Sequence, residues 1–204
     1  MKHFIQVFGR QIELTEEQAK ALHEQYAPPS VKLAEVQAGE TFLIGPHEFV
    51  VLEQFEDSAA VILKGLLHEG MLFGKNNNFD GSDADKACGK FADELAEIID
   101  ADNLLEHTVD LTSDDGLRDY GTIQRKMSLL TADLYRKYVE ILDQYKLGRW
   151  WWLATPYSTK RHDNESWVKC VSPSGFLYYD FYFYDGYTGV RPFCILKSHI
   201  FVSK

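Results

Sequence analysis

Short runs dense in β-branched and aromatic residues dominate the hydrophobic pattern of the chain, and turn residues bound most of them. Residues 3–8 read as a strand, with a turn at Gly9-Arg10 and a return through Ile12 and Leu14. Thr15-Glu16-Glu17-Gln18 is a capping box that opens a helix ending before Pro28-Pro29, with Ala19, Leu22 and Tyr26 at helical spacing. Residues 41–44, 47–55 and 59–67 then form three strand-like runs, and the pattern predicts an antiparallel meander. Residues 75–81 are a loop. Ser82 or Asp83 caps a helix over residues 84–99, with Ala87, Cys88, Phe91, Leu95 and Ile98 or Ile99 inward and its acids on the opposite face. Residues 104–111 and 124–130 read as strands, and Thr131-Ala132-Asp133 caps a short helix reaching Leu142. His47 and His68, at strand ends, read as surface residues.

The remainder of the chain is organised around aromatic rings. Trp150-Trp151-Trp152-Leu153-Ala154-Thr155-Pro156 reads as a strand stopped by proline, with Trp150 and Trp152 on one face and Trp151 on the other. After a polar loop over residues 157–165, a strand over 166–172, a turn at Pro173-Ser174-Gly175 and a return strand follow. Residues 189–196 read as the last long strand. Between Phe176 and Tyr187, eight of twelve residues are aromatic, with no clean inside-outside alternation. The physical expectation is that part of this run is exposed. Tyr offers a large contact area at small rotameric cost, together with an adaptable hydroxyl. A twisted edge hairpin with ordinary cross-strand ring packing is the alternative.

Charge narrows the choice of partners. The formal net charge is −10, and residues 80–119 hold thirteen acids against Lys86, Lys90 and Arg118, so the rest of the chain is balanced. Such a chain repels nucleic-acid phosphate, and no nucleic-acid partner is expected. The segment Asp110 to Gly121 fails the calcium-loop spacing, because the sixth position is Asp115 and the twelfth Gly121, and reads as a polar loop. No metal or other cofactor is expected. Cys88, Cys170 and Cys194 are odd in number and widely spaced, which suits reduced, buried thiols. Nothing at Met1-Lys2-His3-Phe4-Ile5 has a signal pattern, and no run approaches the ~18 apolar residues of a bilayer span. The expectation is cytoplasmic synthesis without membrane insertion. Hydrolase, P-loop and dinucleotide motifs do not occur, and His107 with Asp110 makes no secure acid–base dyad.

Trp151-Trp152-Leu153-Ala154-Thr155-Pro156, the strand and turn from Val168 to Gly175, and Gly189-Val190-Arg191-Pro192-Phe193 together resemble bacterial and phage domains with a WWL-x-[ST]-P … G-x-[VR]-RP signature. Those domains are similar to the C-type-lectin-like fold, shared by formylglycine-generating enzymes and by the variable proteins of diversity-generating retroelements. The resemblance implies an α+β fold. It would have a twisted antiparallel sheet, two flanking helices and a loop-rich C-terminal half spanning residues 36–204, preceded by a strand-helix arm over residues 1–35. It also implies a structural Arg191, buried and hydrogen-bonded. Diversified, ligand-contacting positions would then fall on Tyr157, His162, Asp163 and Asn164 in the loop, and on Trp167 and Lys169 in the next strand. Tyr178, Tyr179, Asp180, Tyr182, Tyr184, Asp185 and Tyr187 complete the set.

The function expected on this footing is non-enzymatic binding of a protein or glycan target by a phage or prophage protein, virion-associated or displayed at a surface. Homo-oligomerisation through residues 1–35 is a candidate accompaniment. An alternative is an acidic interaction or inhibitor protein acting through residues 80–119. A remoter one is a copper oxidase of the formylglycine-generating type using Cys170 and Cys194.

Overall fold

The computed structural model describes residues 3–7, 10–18, 30–182 and 187–204. Its organising unit is an eight-stranded sheet. The strands are β3 (Ser30–Lys32), β4 (Thr41–Ile44), β5 (His47–Gln54), β6 (Ser58–Leu63), β7 (Leu104–Leu105), β10 (Met127–Ser128), β15 (Phe193–Lys197) and β16 (Phe201–Ser203). Their spatial order is β10-β15-β6-β5-β4-β16-β3, with β7 also paired to β15. The meander β4-β5-β6 is antiparallel, as the turn residues predict. A second sheet has the order β13-β12-β11-β14, from β11 (Trp150–Pro156), β12 (Trp167–Val171), β13 (Leu177–Phe181) and β14 (Thr188–Gly189). Two hairpins stand apart in pairing: β1 (His3–Val7) with β2 (Arg10–Leu14), and β8 (His107–Asp110) with β9 (Thr122–Arg125). The capping box at Thr15 is formed, with Thr15 N–H donating to Gln18 Oε1 and Gln18 N–H to Thr15 Oγ1. The architecture is α+β. No helix among the described residues is long and apolar enough to cross a membrane.

Both faces of the large sheet are buried, which explains its unalternating apolar runs. Phe49, Val51, Val61 and Leu63 enter one core, beneath α1 (Asp83–Ile99). Val50, Leu52, Ala60 and Ile62 enter a second, with Tyr135, Tyr138 and Leu142 of α2 (Ala132–Lys137) and α3 (Val139–Leu142) and the residue that joins them. Strand β11 is shared in the same way. Trp152 and Ala154 join the first core, and Trp151 and Leu153 the second. The expected alternation of the tryptophans is therefore present, but both of its faces are core. Trp152 is fully buried, and its indole N–H donates to Met71 O at 3.0 Å.

Helix α1 is capped by Ser82, whose hydroxyl accepts from Asp85 N–H. Its buried stripe is Ala84, Cys88, Phe91, Ala92 and Leu95, while Ile98 is exposed. One acid departs from the expected outer face. Asp85 is buried and accepts two hydrogen bonds from Arg125 of β9, each at 2.8 Å. Arg125 also reaches Asp80. These bonds tie the β8–β9 hairpin to the start of α1, a charge-assisted contact that periodicity cannot reveal.

Three predicted strands are broken. Residues 124–130 divide between β9, paired with β8, and β10, paired with β15. Residues 104–111 divide into β7 and β8. Residues 189–196 divide at Val190-Arg191-Pro192, where the chain leaves β14, parallel to β11, and enters β15 of the large sheet. Pro192 has no N–H to donate, and its carbonyl accepts from Leu63 N–H at 2.9 Å. Val190 bridges to His68. Arg191 turns inward and is 1% exposed. Its Nε donates to Leu63 O at 2.8 Å and Nη2 to Lys64 O at 3.0 Å. The guanidinium lies 5.2 Å from the Trp151 ring. Burial pulls its pKa down to about 10, so it stays cationic at neutral pH.

Gly189 is required by close approach. A Cβ there would stand 2.5 Å from His68 O and 2.6 Å from a Leu66 methyl. Gly189→Ala is expected to cost about 2 kcal/mol or more through overpacking against backbone, read as a lowered denaturant midpoint.

His107 carries the pH dependence of this region. It is 8% exposed, packs edge-on to Phe193, and lies 2.8 Å from Ser128 Oγ. Burial pulls its pKa down to about 4, offset in part by a contact with the Leu105 backbone. The unfolded chain therefore takes up a proton near pH 6.5 that the folded chain refuses until about pH 4. Stability is full above the unfolded value and falls as the pH drops through this window, by about 3 kcal/mol in all. Thermal melts at closely spaced pH values should show this slope, and His107→Gln should flatten it above the carboxylate range.

Candidate recognition surface

The small sheet presents one ring-lined face whose position follows from strand register. Trp167 pairs with Phe181 and Lys169 with Tyr179, so these four share a side with Val171 and Leu177. The Trp167 and Phe181 ring centroids are 3.6 Å apart, Trp167 and Tyr179 5.2 Å, and Tyr157 and Tyr179 4.6 Å. All four rings are half-buried. Lys169 is 7% exposed, with Nζ 5.9 Å from the Tyr179 centroid and 3.2 Å from Asp114. The buried lysine thus holds its charge between a ring and a carboxylate.

Two acidic loops meet beside these rings. In the stretch after β8, Asp110 closes a turn by accepting from Thr112 N–H and its hydroxyl. Asp114 receives Arg136 and Lys169, each at 3.2 Å. Asp115 receives the hydroxyls of Ser113 and Ser158, and His162 Nδ1 at 2.8 Å. Burial works against the charged form of Asp115, but the hydrogen bonds from Ser113, Ser158 and His162 outweigh it and hold its pKa near 2. Asp119 receives the Thr159 hydroxyl at 2.6 Å and the Arg161 guanidinium. Asp115 and Asp119 therefore pin the loop between β11 and β12 from one side, while Asp114 ties α2 to β12.

Asn77 pins the same loop from beneath. It is fully buried. Its backbone N–H donates to Glu165 O at 3.0 Å, and its side-chain amide donates to Ser158 O at 2.9 Å and Trp167 O at 3.0 Å. Its own carbonyl accepts from Tyr120 OH at 2.8 Å. A polar cleft of about 270 Å³ lies above, lined by Asp114, Asp115, Tyr157, Ser158, His162 and Asn164. It adjoins a cleft of about 500 Å³ that shares Asp114 and runs toward Thr131 and Arg136. Hydroxyls, carboxylates and one guanidinium line these clefts, and rings stand on their flank, so the surface offers hydrogen bonds and flat apolar contact together.

No family model, curated protein or solved structure matches the chain.

The thirteen residues singled out from sequence divide by position. Tyr157, His162, Asn164, Trp167, Lys169 and Tyr179 converge on this face and its cleft. Asp163 is exposed at the loop tip, in a left-handed conformation. Tyr178 and Asp180 share the other side of β13 with Cys170 and Val168, and Tyr182 packs on the first core. Tyr178 is 52% exposed and touches Trp150 edge-on. Tyr187 is 71% exposed. Tyr184 and Asp185 lie outside the described residues. Asn77, Asp114, Asp115, Asp119 and Phe181 were missed. The aspartates fall in a stretch that reads as a polar loop, and Asn77 is one of three consecutive asparagines with no local sign of burial.

Cys170 and Cys194 lie in different sheets, and all three thiols are free and buried. Burial pushes the Cys170 pKa up to about 12 and raises the other two as well. Cys194 adds to the upward push on Cys88, so it is Cys88 that it faces electrostatically. Thiolate chemistry is suppressed at each position. Among the described residues no group of three or more His, Cys, Asp or Glu is placed to hold a metal ion.

Asn77→Ala should leave the Ser158 carbonyl and the Tyr120 hydroxyl without their Asn77 partner and the Trp167 carbonyl with only its bond from Tyr157 N–H, at a cost of about 2–3 kcal/mol. Hydrogen exchange at Tyr157 and through residues 159–166 should accelerate more than exchange in β5 or β6.

Proposed function

We propose that the chain is a non-enzymatic binding protein that recognises a protein or glycan target through the ring-lined face of its small sheet. The observation that carries this reading is the contiguous set of rings Tyr157, Trp167, Tyr179 and Phe181, half-exposed on the side of β12 opposite the buried Val168 and Cys170. Rigid aromatic anchors beside a polar rim are the composition of energetic hot spots in interfaces. The clamped loop adds walls with satisfied hydrogen bonds, so little ordering cost remains for binding.

Within the proposal, the domain is C-type-lectin-like, and its loop and ring positions are those a variable protein of a phage or prophage would diversify. The buried Arg191 supports the lectin-like reading, since the resemblance assigns that residue a structural role. The acidic-inhibitor reading has less support. Asp80, Asp85, Asp114 and Asp119 are already paired with cations of the same chain, and on the α1 surface Asp83 and Glu94 pair with Lys86 and Lys90.

The test is a screen of the wild-type protein and the Tyr157→Ala/Trp167→Ala variant against glycan and bacterial surface-protein arrays. Wild-type hits should weaken about 100-fold or more in the double variant, a loss of about 3 kcal/mol, with the melting temperature lowered by only a few degrees. Hits that survive in the double variant would place binding elsewhere and sink the proposal. Tyr182, packed on the core, is a poor probe, because its removal mixes lost binding with lost stability.

A further inference from the structure

We propose that the target is a glycan, and that an uncharged sugar unit of it occupies the cleft between Tyr157 and Asn164, with the next unit reaching past Asp114 into the larger cleft. This rests on the binding reading above and narrows it to one class of ligand. The polar groups still available in the smaller cleft point to that class. The Tyr157 hydroxyl and the Asn164 side-chain amide line it and make no hydrogen bond among the described residues. The amide offers two N–H donors and a carbonyl acceptor, and the phenol can both donate and accept. Asp115 accepts from Ser113, Ser158 and His162, which leaves about one of its four lone-pair positions. Asp114 accepts from Arg136 and Lys169 and keeps about two. Neighbouring donors and acceptors of this kind match the hydroxyls of a sugar, each of which gives one hydrogen bond and accepts another.

Charge weighs against ionic ligands. Among the described residues, Arg136 is the one Lys or Arg lining either cleft, and Asp114 and Asp133 hold it. His162 is held by Asp115. A phosphate, sulfate or uronate would find no free cation and would stand among carboxylates instead. A Lys or Arg side chain from a protein target would find Asp114, Asp115 and Asp133 already paired. Asp110 has no ion pair among the described residues, but it accepts the N–H and hydroxyl of Thr112. Neutral hydroxyls incur a smaller desolvation cost than either kind of ion, and they can use the lone pairs that the ion pairs leave open.

Shape agrees with one ring followed by another. The smaller cleft, at about 270 Å³, lies just under the ~300 Å³ at which small-molecule sites begin. The Tyr157 ring forms part of its wall and is backed by Tyr179, with centroids 4.6 Å apart. A sugar ring has an apolar C–H face that can lie on such an amphipathic ring while its hydroxyls reach Asn164 and Asp115. The larger cleft, at about 500 Å³, is lined by Thr108, Thr112, Ser113, Thr131 and Thr155, with no aromatic residue. It suits a second unit held by hydrogen bonds alone.

The test applies an array of neutral and anionic glycans to the full chain. Saturation-transfer NMR follows, with free glucose, galactose, mannose and N-acetylglucosamine, and with glucuronic acid and sialic acid as charged counterparts. Neutral saccharides should bind and the charged ones should not. Asn164→Ala and Tyr157→Phe should each weaken that binding about tenfold, one hydrogen-bonding group apiece. Neither should move the melting temperature, because neither removed group is bonded within the chain. Binding of anionic in preference to neutral sugars, or neutral binding unchanged in both variants, overturns the inference. A protein target that depends on Tyr157 and Trp167, with no saccharide bound, overturns it too and leaves the ring-face reading standing. If the wild type captures neither saccharide nor protein, both readings fall.

Discussion

The guanidinium of Arg191 holds the two sheets in one relation. It enters the core without a carboxylate partner among the described residues and is satisfied instead by the carbonyls of Leu63 and Lys64, where β6 ends. A planar fork can meet two backbone acceptors at once, and it can lie against an indole while it does so. Trp151 supplies that indole from the central strand of the small sheet. The exit of β6, the crossing between sheets and the tryptophan strand are therefore fixed by one side chain. Burying an unpaired cation is costly, and the structure offsets the cost with directed bonds and a ring face. A lysine in its place could satisfy only part of that geometry.

Around this point the molecule is built as two cores that share strands. Residues of β5, β6 and β11 send successive side chains into different cores, so each strand is apolar along its length. This accounts for what could be read from sequence and what could not. Turn residues and apolar density located nearly every strand of the meander, the tryptophan strand and α1 with its Ser82 cap. They could not say that both faces of Trp151-Trp152 are interior, because a strand buried on both sides has no polar phase to reveal its orientation. The run after Gly189 reads as one strand because its hydrophobicity is continuous. Its division follows from Pro192 and from the inward turn of Arg191, which are tertiary facts.

The candidate surface was legible in the same uneven way. Ring density marked the region, and strand pairing then set Trp167 and Tyr179 on one side beside Tyr157, while Tyr178, from the opposite register position, stacks on Tyr179 at 5.1 Å and Tyr182 packs on the first core. The acidic run looked like a solvated face. Asp83, Asp93, Glu94 and Glu97 are that, along α1. Asp80, Asp85, Asp114, Asp115 and Asp119 serve instead as acceptors for hydroxyls and cations brought from distant segments. Asp85 with Arg125 and Asp115 with His162 are separated by forty or more residues. No local pattern records such a pairing, because each partner taken alone is an ordinary surface residue.

The anchoring of the loop between β11 and β12 has a consequence for how the chain can change. Asn77 grips carbonyls at Ser158 and Trp167, and at Glu165 between them, and the aspartates hold Ser158 and Thr159. Both feet of the loop are thus fixed by groups outside it, while the tip at Lys160–His162 and the residues just beyond contribute little to the core. Arg161 and His162 still contact Asp119 and Asp115, so it is beyond His162 that length and sequence are least coupled to folding. A foreign peptide spliced between His162 and Asn164 would be carried on a footing already paid for, with its ends held at a set separation beside the aromatic face.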